Sequence, residues 1–153
     1  MGELIDQQVE IGSGVGQTLG VQGCIFCRIV AGEAPAYVVA EDDRTLAFLD
    51  RGQATEGHTL VVPRTHAADI WAISELDAIA VMTMAKRIAH VLDERLAPDG
   101  LTLMQSNRSA AWQDVFHFHV HVIPRWTDDA LMRPWRSTLP SDEQLAAMLS
   151  LLR

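Results

Sequence analysis

The stretch Val115-Phe116-His117-Phe118-His119-Val120-His121-Val122-Ile123-Pro124 decides how this chain is read. Its first eight residues alternate strictly, and in a strand successive side chains change face. The alternation predicts a strand over Val115–Pro124 with His117, His119 and His121 on one face. Phe116, Phe118, Val120 and Val122 share the other, the core side. At a rise of about 3.4 Å per residue, neighbouring histidines stand roughly 6.8 Å apart. Packing does not account for three imidazoles in register on an otherwise apolar strand. Imidazoles are metal ligands, nucleophiles and proton carriers near neutral pH. The spacing is too wide for all three to bind one metal through Zn–N bonds of about 2.0–2.1 Å, so they are expected to do different work.

Working outward, the breaker Pro98-Asp99-Gly100 precedes a strand expected over Leu101–Gln105. Before it lies the longest helix, starting at Ser74 with Asp77 completing a capping-box pattern. Leu76, Ile79, Ala80, Thr83, Ile88 and Val91 supply its apolar face. Upstream, Tyr37–Glu41, Arg44–Asp50 and Thr59–Pro63 read as strands, parted by Asp42–Asp43 and the polar Arg51–Gly57 loop. Short helices are expected at Ala67–Ala72 and at Cys24–Val30, the latter closed by Gly32 and Pro35. Downstream, Ser141 and Gln144 cap a last helix, Asp142–Leu152. Strands on either side of a long helix imply an α+β fold with a mostly antiparallel sheet and short flanking helices.

The 153 residues suit one domain, and 48% hydrophobic content supports a real core. Residues 1–23 hold six glycines, no basic residue and no sustained apolar period, so they read as a flexible tail ahead of a single domain at 24–153. A secretory signal needs a basic start and an apolar stretch, and this segment has neither, which points to a cytoplasmic protein. No apolar run approaches the ~20 residues of a membrane span. Twelve basic against twenty acidic residues give a net charge of -8, which argues against a nucleic-acid polymer as partner but not against a small phosphate ligand.

Cys24-Ile25-Phe26-Cys27 is the second cluster. Such a pair reads as half a zinc site or a redox couple, and the loose segment before it makes redox the less attractive use. Zinc needs two more ligands, to be found among His58, His66, His90 and the triad. His90 lies within the long helix without an evident partner and reads as a solvated residue.

Together, Cys24-Ile-Phe-Cys27, Ala47-Phe-Leu-Asp50, Gly57-His-Thr-Leu-Val-Val-Pro-Arg64 with His66, and Val115-Phe-His-Phe-His-Val-His-Val-Ile-Pro-Arg125 resemble the histidine triad (HIT) superfamily, zinc-bearing bacterial-type members included. The resemblance spans Cys24 to Trp126. It implies a homodimeric domain that binds a small molecule containing a nucleoside monophosphate, preferably a purine nucleotide. The implied activity is that of a hydrolase or nucleotidyl transferase cleaving a phosphoramidate or phosphoanhydride at the α-phosphorus. By motif, His119 is the nucleophile that forms a nucleotidyl-histidine intermediate, with His121, His58 and Gln113 contacting the phosphate. Asp50 matches the ribose-binding acid, and Ile25, Phe26, Ile29 and Phe48 match the apolar base pocket. A structural Zn2+ would be held by Cys24, Cys27, His66 and His117.

The match departs from the family in one loop. The position of the usual asparagine holds Ser106, with Asn107 beside it, and both are carried over as nucleotide-binding residues. Arg108-Ser109-Ala110-Ala111-Trp112-Gln113-Asp114 contains no glycine, although glycine lets backbone N–H groups approach a phosphate. Trp112 stands where a small residue is common, and Asp114 replaces a hydroxyl with a negative charge that Arg108 is expected to offset. These departures keep a second expectation alive, a nucleotide-binding protein with little or no catalysis. Arg133-Pro134-Trp135-Arg136 is expected to cover the site or a dimer edge, or to pack on the surface.

Overall fold

The computed structural model describes Val21, residues 23–131 and residues 137–153. The segment 1–23, apart from Val21 and Gly23, and Arg133–Arg136 lie outside the described residues. The elements run α1 (Ile25–Val30), β1 (Val38–Glu41), β2 (Thr45–Leu49), β3 (Thr59–Pro63), α2 (Glu75–Leu96), β4 (Gly100–Met104), β5 (Val120–Arg125) and α3 (Asp142–Leu152). The five strands form one sheet in the order β1-β2-β3-β5-β4, every pairing antiparallel. The α+β reading from the sequence thus holds.

Both faces of the central sheet are covered, which is why β3 is buried at all five positions. Ala47, Val61, Val120 and Val122 meet α2 on one face. Leu46, Phe48, Leu60 and Val62 pack with Phe26 of α1 on the other. Alternation along each strand assigns these sides, and it puts His121 on the α1 side, opposite Leu60. Gly57 precedes β3 at φ +83, and a Cβ there would come within 2.6 Å of Leu96. Glycine is what lets this loop lie flat on the end of α2.

Three local expectations are corrected. The predicted strand Val115–Pro124 begins only at Val120, and Phe116 is exposed rather than in the core. The register pairs Thr59, Leu60 and Val61 with Val122, His121 and Val120, so two further steps bring Phe118 level with Pro63. Proline has no N–H to extend the ladder. Phe118 instead donates its N–H to the Ala67 carbonyl at 2.6 Å. Ala67–Ala72 is a turn rather than a helix, its N–H groups at Trp71 and Ala72 held by the Asp69 carboxylate.

The third correction concerns the buried face of α2. It is Val81, Met84, Ala85, Ile88 and Leu92, whereas Leu76, Ile79 and Val91 are exposed. The helix is apolar on more than one side, and the sheet selects the side that periodicity alone does not. Its N-terminus also differs in detail from a reciprocal capping box. Ser74 Oγ accepts from the Asp77 N–H, but the Asp77 carboxylate takes the Ser74 hydroxyl and the Arg44 guanidinium. The predicted stop holds, with Ala97 capping in the left-handed region. At α3 both halves of the capping box between Ser141 and Gln144 are present.

Candidate active site

A cleft of about 1030 Å³ opens on the α1 side of the sheet. Ile25, Phe26 and Ile29 of α1 and Phe48 of β2 form its apolar wall, and Asp50, His119 and His121 stand in it. All four residues expected to hold a base are therefore together beside two triad histidines and the expected ribose acid. Sequence reasoning missed Tyr37, Leu60 and Met104 in the lining. Leu60 and Met104 are the cross-strand partners of His121 on either side, so only the sheet register exposes them.

Hydrogen bonds assign the tautomer of each histidine. His119 Nδ1–H donates to the His117 carbonyl at 2.6 Å, which leaves the Nε2 lone pair available. His58 Nδ1 accepts from the Ala54 N–H at 3.2 Å, so its Nε2 carries the proton. That Nε2–H donates to His121 Nδ1 at 2.9 Å and lies 3.6 Å from an Asp50 oxygen. His121 therefore keeps its own proton on Nε2. Burial holds His58 and His119 below the ordinary imidazole range, with the Asp50 charge opposing it at both. Burial, reinforced by His119 and His58, pushes His121 down to about 4. At neutral pH the three are uncharged, the form in which an imidazole is a nucleophile.

Gln113 is buried and fully engaged. Its amide donates to the Ala68 and Val115 carbonyls at 2.6 and 3.1 Å and accepts from the Arg108 N–H at 2.6 Å. It fastens the loop and is not among the cleft residues, as a phosphate contact would require. Asn107 likewise accepts from the Ile70 N–H at 2.7 Å, and neither it nor the buried Ser106 lines the cleft. The loop is shaped as if it held glycines. Arg108 and Trp112 both sit at φ 67, a region that costs a side-chain-bearing residue of order 1–3 kcal/mol. The expected compensation of Asp114 by Arg108 does not occur. Arg108 faces Asp69 at 3.7 Å and lies over the Trp71 ring, whereas Asp114 and Trp112 line the cleft.

Phe26 packs edge-on against both His119 and His117, and with His117 the residues Cys24, Cys27 and His66 bring four ligand atoms within 4.8 Å of one another. His117 Nδ1 lies 3.5 Å from both sulfurs, and His66 Nδ1 lies 3.3 Å from Cys27 Sγ. Tetrahedral zinc with Zn–S of about 2.3 Å and Zn–N of about 2.0–2.1 Å sets S···N edges near 3.6 Å, so the donor set fits that ion. His117 Nε2–H donates to the Pro63 carbonyl at 2.9 Å, which turns its Nδ1 lone pair toward the thiols. A ligand histidine is commonly oriented this way by its second nitrogen. Both cysteines are free thiols, and His90 is exposed on α2, apart from both clusters.

The family description "HIT domain" matches residues 31–128. The chain is 41% identical over 105 residues to "Protein hit" of Bacillus subtilis, covering 69% of this chain and 72% of that one. It is 33% identical over 126 residues to "Adenosine 5'-monophosphoramidase hnt1" of Schizosaccharomyces pombe, covering 82% and 92%. Among solved structures, a HIT family protein from Bacillus anthracis superposes with a TM-score of 0.81 at 37% identity, covering 87% and 96%. A Zn-bound histidine triad family protein from Mycobacterium smegmatis superposes at 0.71, also at 37% identity, covering 87% and 97%.

Proposed function

The chain belongs to the HIT family, and from that premise we propose that it hydrolyses or transfers a nucleoside monophosphate by cleaving a phosphoramidate or phosphoanhydride bond at the α-phosphorus. The observation that carries this reading is the His119 tautomer, Nδ1–H given to the His117 carbonyl and Nε2 left with its lone pair. That nitrogen attacks phosphorus, the Nε2–P bond forms, and the bond to the leaving group breaks with its electron pair going to the leaving group. A departing amine takes a proton from water. Water then attacks the nucleotidyl-histidine and returns the imidazole. Splitting one displacement into two is what a covalent nucleophile contributes.

His121, neutral with its proton on Nε2, donates toward the charge that develops on the phosphoryl oxygens, while the buried His58, whose Nε2–H is given to His121 Nδ1, fixes that tautomer from behind the cleft lining. Asp50 accepts from the ribose hydroxyls, and Ile25, Phe26, Ile29 and Phe48 enclose a purine. Gln113 acts one step back, by fixing the loop that carries Asp114. Zinc held by Cys24, Cys27, His66 and His117 supplies stability and takes no part in the displacement. It joins α1, which forms the cleft wall, to the bend before β5. A second copy would cover Leu76, Ile79 and Met82 of α2 and Leu103 of the edge strand β4, all exposed here. Among the described residues no helix is long and apolar enough to cross a membrane.

The experiment is incubation with an adenosine phosphoramidate, an adenylylated amine and a dinucleoside polyphosphate, with His119→Ala as control. Turnover of at least one is expected, with the adenylylated protein trapped on acid quench. No turnover above the control removes the enzymatic reading for these classes. Asp114 in the cleft favours one other reading, a nucleotide-binding protein that repels an anionic substrate too strongly to turn it over. Purine-nucleotide binding by calorimetry without product release would identify it.

A further inference from the structure

Two residues of the glycine-free loop, Trp112 and Asp114, line the same cleft as His119 and His121, and the base wall already accounts for α1 and β2. Trp112 is 59% exposed and is held at a left-handed backbone angle, so an indole face is kept at the rim at a conformational cost. Asp114 is exposed too, and its charge reaches His121. The nearest cation in the loop, Arg108, is tied to Asp69 and to the Trp71 ring and does not neutralise it. Arg51 is the one cationic residue among those lining the cleft, against two carboxylates, Asp50 and Asp114. Asp50 is partly taken by the Gly52 N–H and His58.

An aromatic ring and a carboxylate without an ion-pair partner among the described residues, both lining one cleft, are the chemistry that recognises an ammonium group. We propose that Trp112 and Asp114 form a leaving-group subsite that selects nucleotides whose leaving group carries a positive charge, such as the amide of a diamine, over nucleotides with anionic leaving groups. This rests on the functional reading above and narrows its substrate class. It also turns the apparent defect of the loop into a filter. A carboxylate near the phosphate is unfavourable to a polyphosphate or sulfate leaving group, which brings further negative charge, and is offset when the leaving group brings a cation.

The test uses three phosphoramidates of AMP matched in size, with 2-aminoethyl, propyl and 2-carboxyethyl amines. For the wild-type protein kcat/KM is expected to rank ammonium over neutral over carboxylate, with steps of about tenfold at low salt. The ranking should compress as ionic strength rises. Asp114→Asn should bring the three within about threefold of one another, and Trp112→Gly should reduce the ammonium preference while relaxing the backbone. A merely structural role for either residue would change all three rates together and leave the ratios intact. Wild-type ratios near unity, or ratios that Asp114→Asn leaves unchanged, overturn the subsite. If none of the three is turned over above His119→Ala, the hydrolase reading fails instead. The order of affinities of the same compounds for His119→Ala, by calorimetry, then decides the selectivity on its own.

Discussion

His58 Nε2 stands 2.9 Å from His121 Nδ1, and since the Ala54 N–H occupies the other nitrogen of His58, the proton between the rings belongs to His58. Both imidazoles are thus committed to the neutral state. Burial lowers His58 from 6.5 and takes His121 to about 4. As pH falls below 6.5 the unfolded chain binds protons that the folded chain refuses, so stability is full above that value and is lost progressively down to about 4. Thermal unfolding across this window should show a falling Tm, and His121→Gln should flatten the fall. A Tm independent of pH there would contradict the assignment.

Gln113→Ala leaves the Arg108 N–H and the Ala68 and Val115 carbonyls without their side-chain partner. Leaving part-buried polar groups unpaired costs about 1 kcal/mol or more, to be read from urea unfolding. Gln113→Glu keeps the acceptor for Arg108 and loses both donors, so it should recover only part of that stability. KM should rise in both variants, because the loop bearing Trp112 and Asp114 loses its anchor.

Two small substitutions at the C-terminal end of α2 should act in opposite directions. Ala97 caps the helix at φ 45, where a β-carbon is strained, so Ala97→Gly should stabilise by about 1 kcal/mol. Gly57→Ala places a methyl against Leu96 and Leu92 in a left-handed conformation and should destabilise by about 1–3 kcal/mol. Chemical denaturation of the two variants side by side checks both signs.

Metal analysis of protein purified without added zinc should give about one equivalent per chain. Cys24→Ser should lower the metal content and the Tm by about 5 °C or more, because a structural ion contributes directly to folding. Chelation should reproduce the shift in the wild type and leave the variant unmoved. Unchanged Tm in both cases would separate these four residues from any structural metal.

Strand alternation and glycine or proline punctuation sufficed for β2, β3 and α3, because those signals are local. The buried side of α2 was not legible, since Leu76 and Ile79 are as apolar as Val81 and Ile88 and only the sheet distinguishes them. The histidine run was legible as a pattern but not as a strand. His117 and His119 precede β5 because the neighbouring strand ends in a proline, a condition set by register. For the same reason Leu60 and Met104 became visible as cleft residues only beside His121. Gln113 illustrates the remaining gap. A sequence motif suggests a contact with ligand, while the hydrogen-bonding capacity of the side chain is already filled by the chain itself.

Cys24 also caps α1, its sulfur accepting from the Cys27 N–H at 3.4 Å, and the two residues between the thiols are Ile25 and Phe26 of the cleft wall. The same four positions therefore combine two thiols of the Cys/His cluster, the helix start and pocket lining. Lengthening the spacer by one residue would rotate the second thiol away from His66 and swing a new side chain into the cleft at once. Under the proposed function, base preference in this segment changes by substitution, since an insertion or deletion also breaks the Cys/His cluster.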